Sequence, residues 1–314
     1  MPSEQRFSKT RLSLIAALAT MVAWGVNFAF VKHVLDSLGV ETFMFIRFVA
    51  LPLLGFSLLV AIFRNRLAHT WPRREDLPRF IACGLLGHAL HIGVVMYGMD
   101  LSTPFSSSLV LTSGPLFTLV ILALLGVERL RVRQVAGTLV ALAGIVVFLS
   151  DKFAGGFSRA GVGDLVLLFA AALFALYTVL VQPIAKRYGP LIVFCYTLLF
   201  SAPPILAWTL PAFLATPASA YTPSVLAGLF FALVASSFLG WLGWTWVNTV
   251  RGVARSAPFA YLMPPIAGLV AWLTLGEAFT WLKIAGAAVT MGGVAYAQFG
   301  GGPPPKEAAQ PDSA

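Results

Sequence analysis

Apolar runs of about 20 residues alternate along this chain with short polar stretches. A helix needs about 20 such residues to cross the ~30 Å hydrocarbon core of a bilayer. That yardstick predicts ten spans, near residues 12 to 31, 42 to 63, 78 to 98, 104 to 125, 132 to 149, 163 to 182, 190 to 211, 223 to 248, 256 to 275 and 280 to 299. The runs are continuously apolar and lack the period-two alternation of membrane strands, so helices rather than a barrel are expected.

The spans fall into two sets of five. A shift of 150 residues places Gly39 on Gly189, Leu18 on Leu168, Pro115 on Pro265 and Gly126 on Gly276. After a one-residue slip, Glu128 falls on Glu277, Ala136-Gly137 on Ala285-Gly286 and Gly144 on Gly293. A duplicated unit with an odd number of spans must insert its second copy upside down, an arrangement common among transporters. The expected fold is an all-α integral membrane protein, with ten transmembrane helices forming two inverted five-helix repeats around a central cavity. The repeats cover 12–149 and 163–299. A cytoplasmic N-terminal tail over 1–11, a periplasmic linker over 150–162 and a disordered cytoplasmic tail over 300–314 complete the chain.

Composition agrees, with 59% of the 314 residues hydrophobic, 11% charged and a mean hydropathy of +0.87. The net charge is +9, but where the charges sit matters more than their sum. The two tails and the even-numbered loops hold 16 of the 21 Lys and Arg. The odd-numbered loops hold only Lys32, Lys152, Arg159 and Lys283, and Arg47 lies within a span. This is the positive-inside pattern, and it orients both termini toward the cytoplasm. A nucleic-acid partner would need the basic residues on one continuous folded face, so the distribution argues against one. Ala17-Leu18-Ala19 resembles a signal-peptidase site, but the apolar run continues past it and an uncleaved first span is expected.

No Walker loop, dinucleotide fingerprint or metal-ligand cluster occurs, so no cofactor, metal or ATP-driven step is assigned to the chain, and no enzyme activity. His88 and His91 are three residues apart but have no Cys or carboxylate near them in sequence. Cys83 and Cys195 lie inside spans and read as small apolar filler.

Polar and aromatic residues at helical spacing inside aliphatic spans mark the candidate pathway. In the eighth span Ser237, Trp241, Trp244 and Asn248 are spaced 4, 3 and 4, which puts them on one helical face, and a cavity wall is favoured over simple packing. The first span offers Trp24 and Asn27, which the shift maps onto Phe174 and Tyr177. His91 maps onto Trp241 and reads equally as a pathway group or as a histidine bonded to a neighbouring helix. The fourth span carries Ser108 and Thr112 ahead of Pro115, and the ninth has Pro265 at the matching place. Each proline frees a backbone carbonyl, which gives either a hinge beside a binding site or a packing kink. The fifth and tenth spans, with Gly137 and Gly144 against Gly286 and Gly293, read as close-packed scaffold.

Charge inside the membrane is scarce. Neither the first nor the sixth span has a mid-membrane carboxylate of the kind an antiporter for cationic drugs uses. Arg47 is the one residue that could place a cation in the cavity, but five residues into its predicted span it reads somewhat better as snorkelling to the periplasmic side. A neutral or zwitterionic solute fits this interior.

Trp24-Gly25-x-Asn27, the loop-entry Gly39 and Gly189, the stretch from Tyr97 through Ser106 to Pro115, and the ends at Gly126-Val127-Glu128 and Gly276-Glu277 together resemble the drug/metabolite transporter superfamily. More narrowly the chain is similar to its ten-span EamA branch, over residues 12 to 299, and within that branch to the YddG-type amino acid exporters. The resemblance implies a basket of ten helices with a cavity lined by spans 1, 3, 4, 6, 8 and 9. It also implies export of aromatic and other neutral amino acids such as methionine across a bacterial inner membrane. No obligatory protein partner is expected. Trp24, Tyr177, Trp241 and Trp244 would then stack on the substrate side chain. Asn27, His91, Ser108, Thr112 and Asn248 would hydrogen-bond its ammonium and carboxylate, with Pro115 and Pro265 as hinges. Alternating access by rocking of the two inverted halves around a mid-membrane site is expected, and the missing carboxylate suggests facilitated diffusion rather than obligatory proton exchange. A drug or other metabolite efflux transporter of the same fold, with or without proton coupling, is the alternative.

Overall fold

Helix α1 begins at Pro2, where a first-turn proline costs little, and runs to Leu38. The stretch expected as an N-terminal tail is therefore its first turns, in keeping with the good helix formers Glu4, Gln5, Arg6, Lys9 and Arg11. Gly39 ends the helix with φ 77° and ψ 165°, a conformation essentially reserved for glycine. The same break recurs 150 residues later at Gly189, with φ 81° and ψ 157°. The computed structural model describes residues 2–124, 132–153, 158–251 and 257–299. The Gly126 and Glu128 motif, positions 154–157 of the linker and the C-terminal tail lie outside the described residues.

The remaining helices follow the predicted spans. They are α2 (Val40–Phe63), α3 (Leu77–Leu101), α4 in two pieces (Pro104–Thr112 and Gly114–Leu124), α5 (Val132–Phe153) and α6 (Arg159–Tyr188). Then come α7 (Pro190–Ala215), α8 (Pro223–Asn248, helical on to Arg251), α9 (Met263–Leu275, entered through the 3₁₀ turn Ala257–Leu262) and α10 (Trp281–Phe299). Seven of these are continuous helices long and apolar enough to cross a bilayer. The broken α4 and the shorter α9 and α10 complete the ten. Spans 4 and 9 are interrupted immediately before their aligned prolines: α4 breaks at Ser113, ahead of Pro115, and α9 changes from 3₁₀ to α just ahead of Pro264 and Pro265.

Helix packing obeys the two-fold that the repeat demands. An inverted duplication requires α2 to meet α7, α4 to meet α9 and α5 to meet α10, each with its own mate, and requires α3 on α6 to be matched by α8 on α1. All of these pairs form. The α5–α10 pair forms the closest seam, because its glycines let the backbones touch. A Cβ on Gly144 would lie 2.4 Å from the Thr290 nitrogen, and one on Gly286 would lie 2.5 Å from the Phe148 nitrogen.

Charges gather at the two ends of the bundle. On the face that holds the α1 start, Asp76 accepts from Arg187 Nη1 at 2.6 Å and from the Tyr188 hydroxyl at 2.5 Å. The Tyr188 hydrogen bond, aided by Arg187, holds the Asp76 carboxyl below its usual range. On the opposite face, Lys32 pairs with Asp36 at 3.1 Å and Arg159 with Asp100 at 3.0 Å, while Ser102 donates to Asp164 and Tyr97 to Glu41.

The two matched glycines give a clean test of backbone strain. No atom lies within 4 Å of a Cβ built on Gly189, so Gly189→Ala meets only the conformational penalty, about 1–3 kcal/mol. Unfolding of the detergent-solubilised variant by a denaturing detergent is expected to show that loss. A stability equal to wild type would contradict the assignment of this break to glycine's φ.

Candidate functional site

Helices α3 and α8, the matched third members of the repeats, are not regular. Each contains a π-helical segment, Leu85–Leu90 in α3 and Phe231–Gly240 in α8. The 150-residue shift maps 85–90 onto 235–240, so both segments end one residue before the mapped pair His91 and Trp241. A π turn rotates the later residues of its helix relative to a straight α-helix, and such turns recur at functional sites. Sequence spacing gave no sign of them. The 4-3-4 face of Ser237, Trp241, Trp244 and Asn248 is consequently divided at its first step.

The structure sends the members of that face to different neighbours. Trp244 lies beside Trp24 of α1, with ring centroids 5.8 Å apart at 60°. Trp24 donates its indole N–H to the Ser236 carbonyl at 3.0 Å, inside the π segment. Gly240 leaves room for that ring, since a Cβ there would fall 2.6 Å from Trp24 Nε1. Trp241 turns the other way and stacks on Phe194 of α7, at 4.3 Å and 18°. Ser237 accepts a hydrogen bond from Arg47 of α2 at 2.9 Å.

Opposite this wall, His91 is buried and its Nδ1 bonds the Ala170 carbonyl at 3.0 Å, with its ring 5.1 Å from that of Phe174. Of the two readings left open for His91, the bond to a neighbouring helix is observed. His88 points elsewhere, with Nε2 3.1 Å from Thr197 Oγ1. The Thr197 hydroxyl already donates to Val193, at 2.6 Å, so His88 Nε2 is the donor. Its ring lies between Tyr177 and Phe194, 5.9 and 6.0 Å away. Tyr177 packs on Gly87 of the π segment, where a Cβ would come within 2.3 Å of its ring.

The two candidate hydroxyls of the fourth span are committed within their own helix. Ser108 donates to the Phe105 carbonyl and Thr112 to the Ser108 carbonyl, each at 2.7 Å, so both hydroxyl protons are used within the helix. The first piece of α4 packs on α1, α6 and α9. Asn27 and Asn248 differ: the side-chain oxygen of each is buried with no hydrogen-bond partner. Asn248 lies near the end of α8, two turns beyond Trp241.

Three positions were missed or misread from sequence. Arg47 does not snorkel outward; its guanidinium reaches Ser237, 14 residues into α8 from the same face of the bundle. Phe194 and Thr197 bring α7 against Trp241 and His88, so helices 2 and 7, which the resemblance did not name, contact the candidate residues. Arg47 could be flagged as the cation set deepest in a predicted span, but nothing in the local sequence distinguishes Phe194 from a packing residue.

The family model for the EamA-like transporter family matches twice, over residues 11–150 and 161–297, once for each repeat. The chain belongs to this family. It is therefore a multi-span membrane transporter of the drug/metabolite superfamily, not an enzyme. Among its relatives, a protein of Streptantibioticus cattleyicolor described as a "Probable terminal-alkyne amino-acid exporter" is 29% identical over 282 residues, 89% of this chain and 91% of the relative. A "Probable amino-acid metabolite efflux pump" of Salmonella typhimurium is 27% identical over 301 residues, covering 90% and 94%. A solved crystal structure superposes with a TM-score of 0.61 over 91% of this chain and 96% of its own, at 20% identity, which supports the fold.

Proposed function

We propose that this EamA-family transporter exports amino acids, aromatic and other neutral ones such as methionine, from cytoplasm to periplasm across a bacterial inner membrane. The observation that carries this reading is the chemistry at mid-depth. Trp24, Trp241, Trp244, Phe194 and Tyr177 offer ring faces for an apolar side chain. The bare Asn27 oxygen and the Arg47 guanidinium offer an acceptor and a donor for a zwitterion. The names of the two relatives favour the same substrate class.

Alternating access follows from the inverted repeats. The helix breaks ahead of Pro115 and Pro265 are the natural hinges, letting the two pieces of α4 and α9 move separately. Transport runs down the substrate gradient in this reading, because the 12 Asp and Glu residues all sit near span ends, in loops or in tails, and none is placed at mid-depth to exchange a proton for substrate. Counterflow of phenylalanine or methionine in proteoliposomes is expected to proceed equally with and without an imposed pH gradient. Uptake that requires the gradient would rule out the facilitative mechanism, and uptake of hydrophobic cations but not amino acids would favour drug efflux.

A further inference from the structure

Arg47 is the eighth residue of α2 and starts about 10 Å from its end at 1.5 Å per residue. Its side chain turns toward the membrane middle, where Nη1 donates to Ser237 Oγ at 2.9 Å. A guanidinium carries five N–H donors. Among the described residues, the ion pairs do not include Arg47, so none of their carboxylates is paired with it. A charged group held away from water without a counter-charge is costly and marks function in a membrane protein. Beside the Ser237 hydroxyl, the His88 and His91 imidazoles lie within reach of the Arg47 charge.

The same layer holds a bare acceptor. Helices α1 and α8 run antiparallel, with Trp24 bonded to Ser236 and Phe30 stacked on Phe231 at 4.6 Å. Asn27 lies between Trp24 and Phe30 and is thus level with positions between 231 and 236, one turn from Ser237. Its Oδ1 is buried and unpartnered. A donor with positive charge on one wall and an uncharged acceptor on another, at one depth, is the pattern that recognises a carboxylate and an ammonium on a single carbon.

We propose that Arg47, held by Ser237, is the carboxylate subsite of the transport cavity, and that the Asn27 oxygen accepts from the substrate's ammonium. The assignment rests on the amino acid reading above and deepens it. A planar guanidinium pairs with a carboxylate through two parallel hydrogen bonds, which an amide or ester cannot reproduce. The single cation limits the subsite to one carboxylate, which separates monocarboxylic amino acids from phosphorylated solutes.

The test uses the purified full-length chain in proteoliposomes with phenylalanine and phenylalaninamide. Wild type is expected to carry the free acid at least about tenfold better than the amide, the effect of a charge-assisted hydrogen bond. Arg47→Gln is expected to remove most of that preference, and Arg47→Lys to keep part of it, with the loss appearing in KM more than in kcat. Equal transport of acid and amide by wild type, which needs no variant, would overturn the proposal, as would a full preference in a folded Arg47→Gln. Wild type carrying neither compound would instead sink the export reading. Thermal stabilisation by 3-phenylpropionate, a carboxylate without an ammonium, then decides the subsite: a shift in wild type that Arg47→Gln abolishes supports it, and no shift overturns it.

Discussion

Replacing Trp241 with alanine is expected to reduce export of aromatic amino acids about tenfold or more while the protein still folds. The ring is half-buried and stacks on Phe194 at 4.3 Å, so one face is committed to α7 and the edge and remaining surface stay available to a ligand. An aromatic pair of this kind contributes about 0.5–1.5 kcal/mol beyond its buried area. A substrate ring that joined the stack would lose a comparable term together with its contact area, enough for a tenfold effect at about 1.4 kcal/mol per decade. Trp241→Phe retains a stacking face and is expected to retain most of the activity. Initial rates per folded molecule, set against the thermal midpoint of each variant, separate a site effect from a folding effect. If Trp241→Ala transports like wild type, Trp241 is a packing residue. Trp24 provides the contrast, because its N–H is spent on the Ser236 carbonyl. Its loss is expected to loosen α1 from α8 and to lower stability along with transport.

The scaffold was legible in the sequence because its demands are local. Ten apolar runs became ten helices, and Gly39 and Gly189 mark breaks because their backbone angles exclude other residues. The five-span repeat also determined which helices pair, since a two-fold leaves few choices. The lining was less legible. Apolar residues face both lipid and protein in a membrane helix, so hydrophobic periodicity says little about which face is inward. A π segment has no composition of its own, and neither Leu85–Leu90 nor Phe231–Gly240 could be read from spacing. Those two turns aim His91 and Trp241, and with them the face that the 4-3-4 pattern had joined. Arg47 failed for a related reason: a long side chain near a span end can reach toward water or toward the interior, and only the position of Ser237 on another helix decides between them. Ser108 and Thr112 were chosen for their hydroxyls, yet within a helix such hydroxyls commonly turn back on the preceding carbonyls, as both do here.

The seam between α5 and α10 should be the least tolerant part of the molecule, and Gly286→Val is expected to prevent its assembly. A first added carbon would meet the Phe148 backbone at 2.5 Å, where no side-chain rotation can relieve the contact. The matching positions repeat the constraint: a Cβ on Gly137 would lie 2.5 Å from the Ala297 nitrogen, and one on Gly293 would lie 2.4 Å from that of Ala141. These four glycines bring the two helices together over several turns, so a bulky residue at any one of them must separate backbones held by the other three. Overpacking of this kind costs about 1–3 kcal/mol where neighbours can shift, and more is expected where the neighbour is main chain. Gly292 is the internal control, one residue from Gly293 but exposed, with nothing within 4 Å of its Cβ. Gly292→Ala should match or slightly exceed wild-type stability, since alanine is the better helix former by about 1 kcal/mol. Thermal unfolding and size-exclusion profiles in detergent compare the two. A Gly286→Val protein as stable as Gly292→Ala would show that the seam can open, and that α5 and α10 are not the rigid frame against which the other helices move.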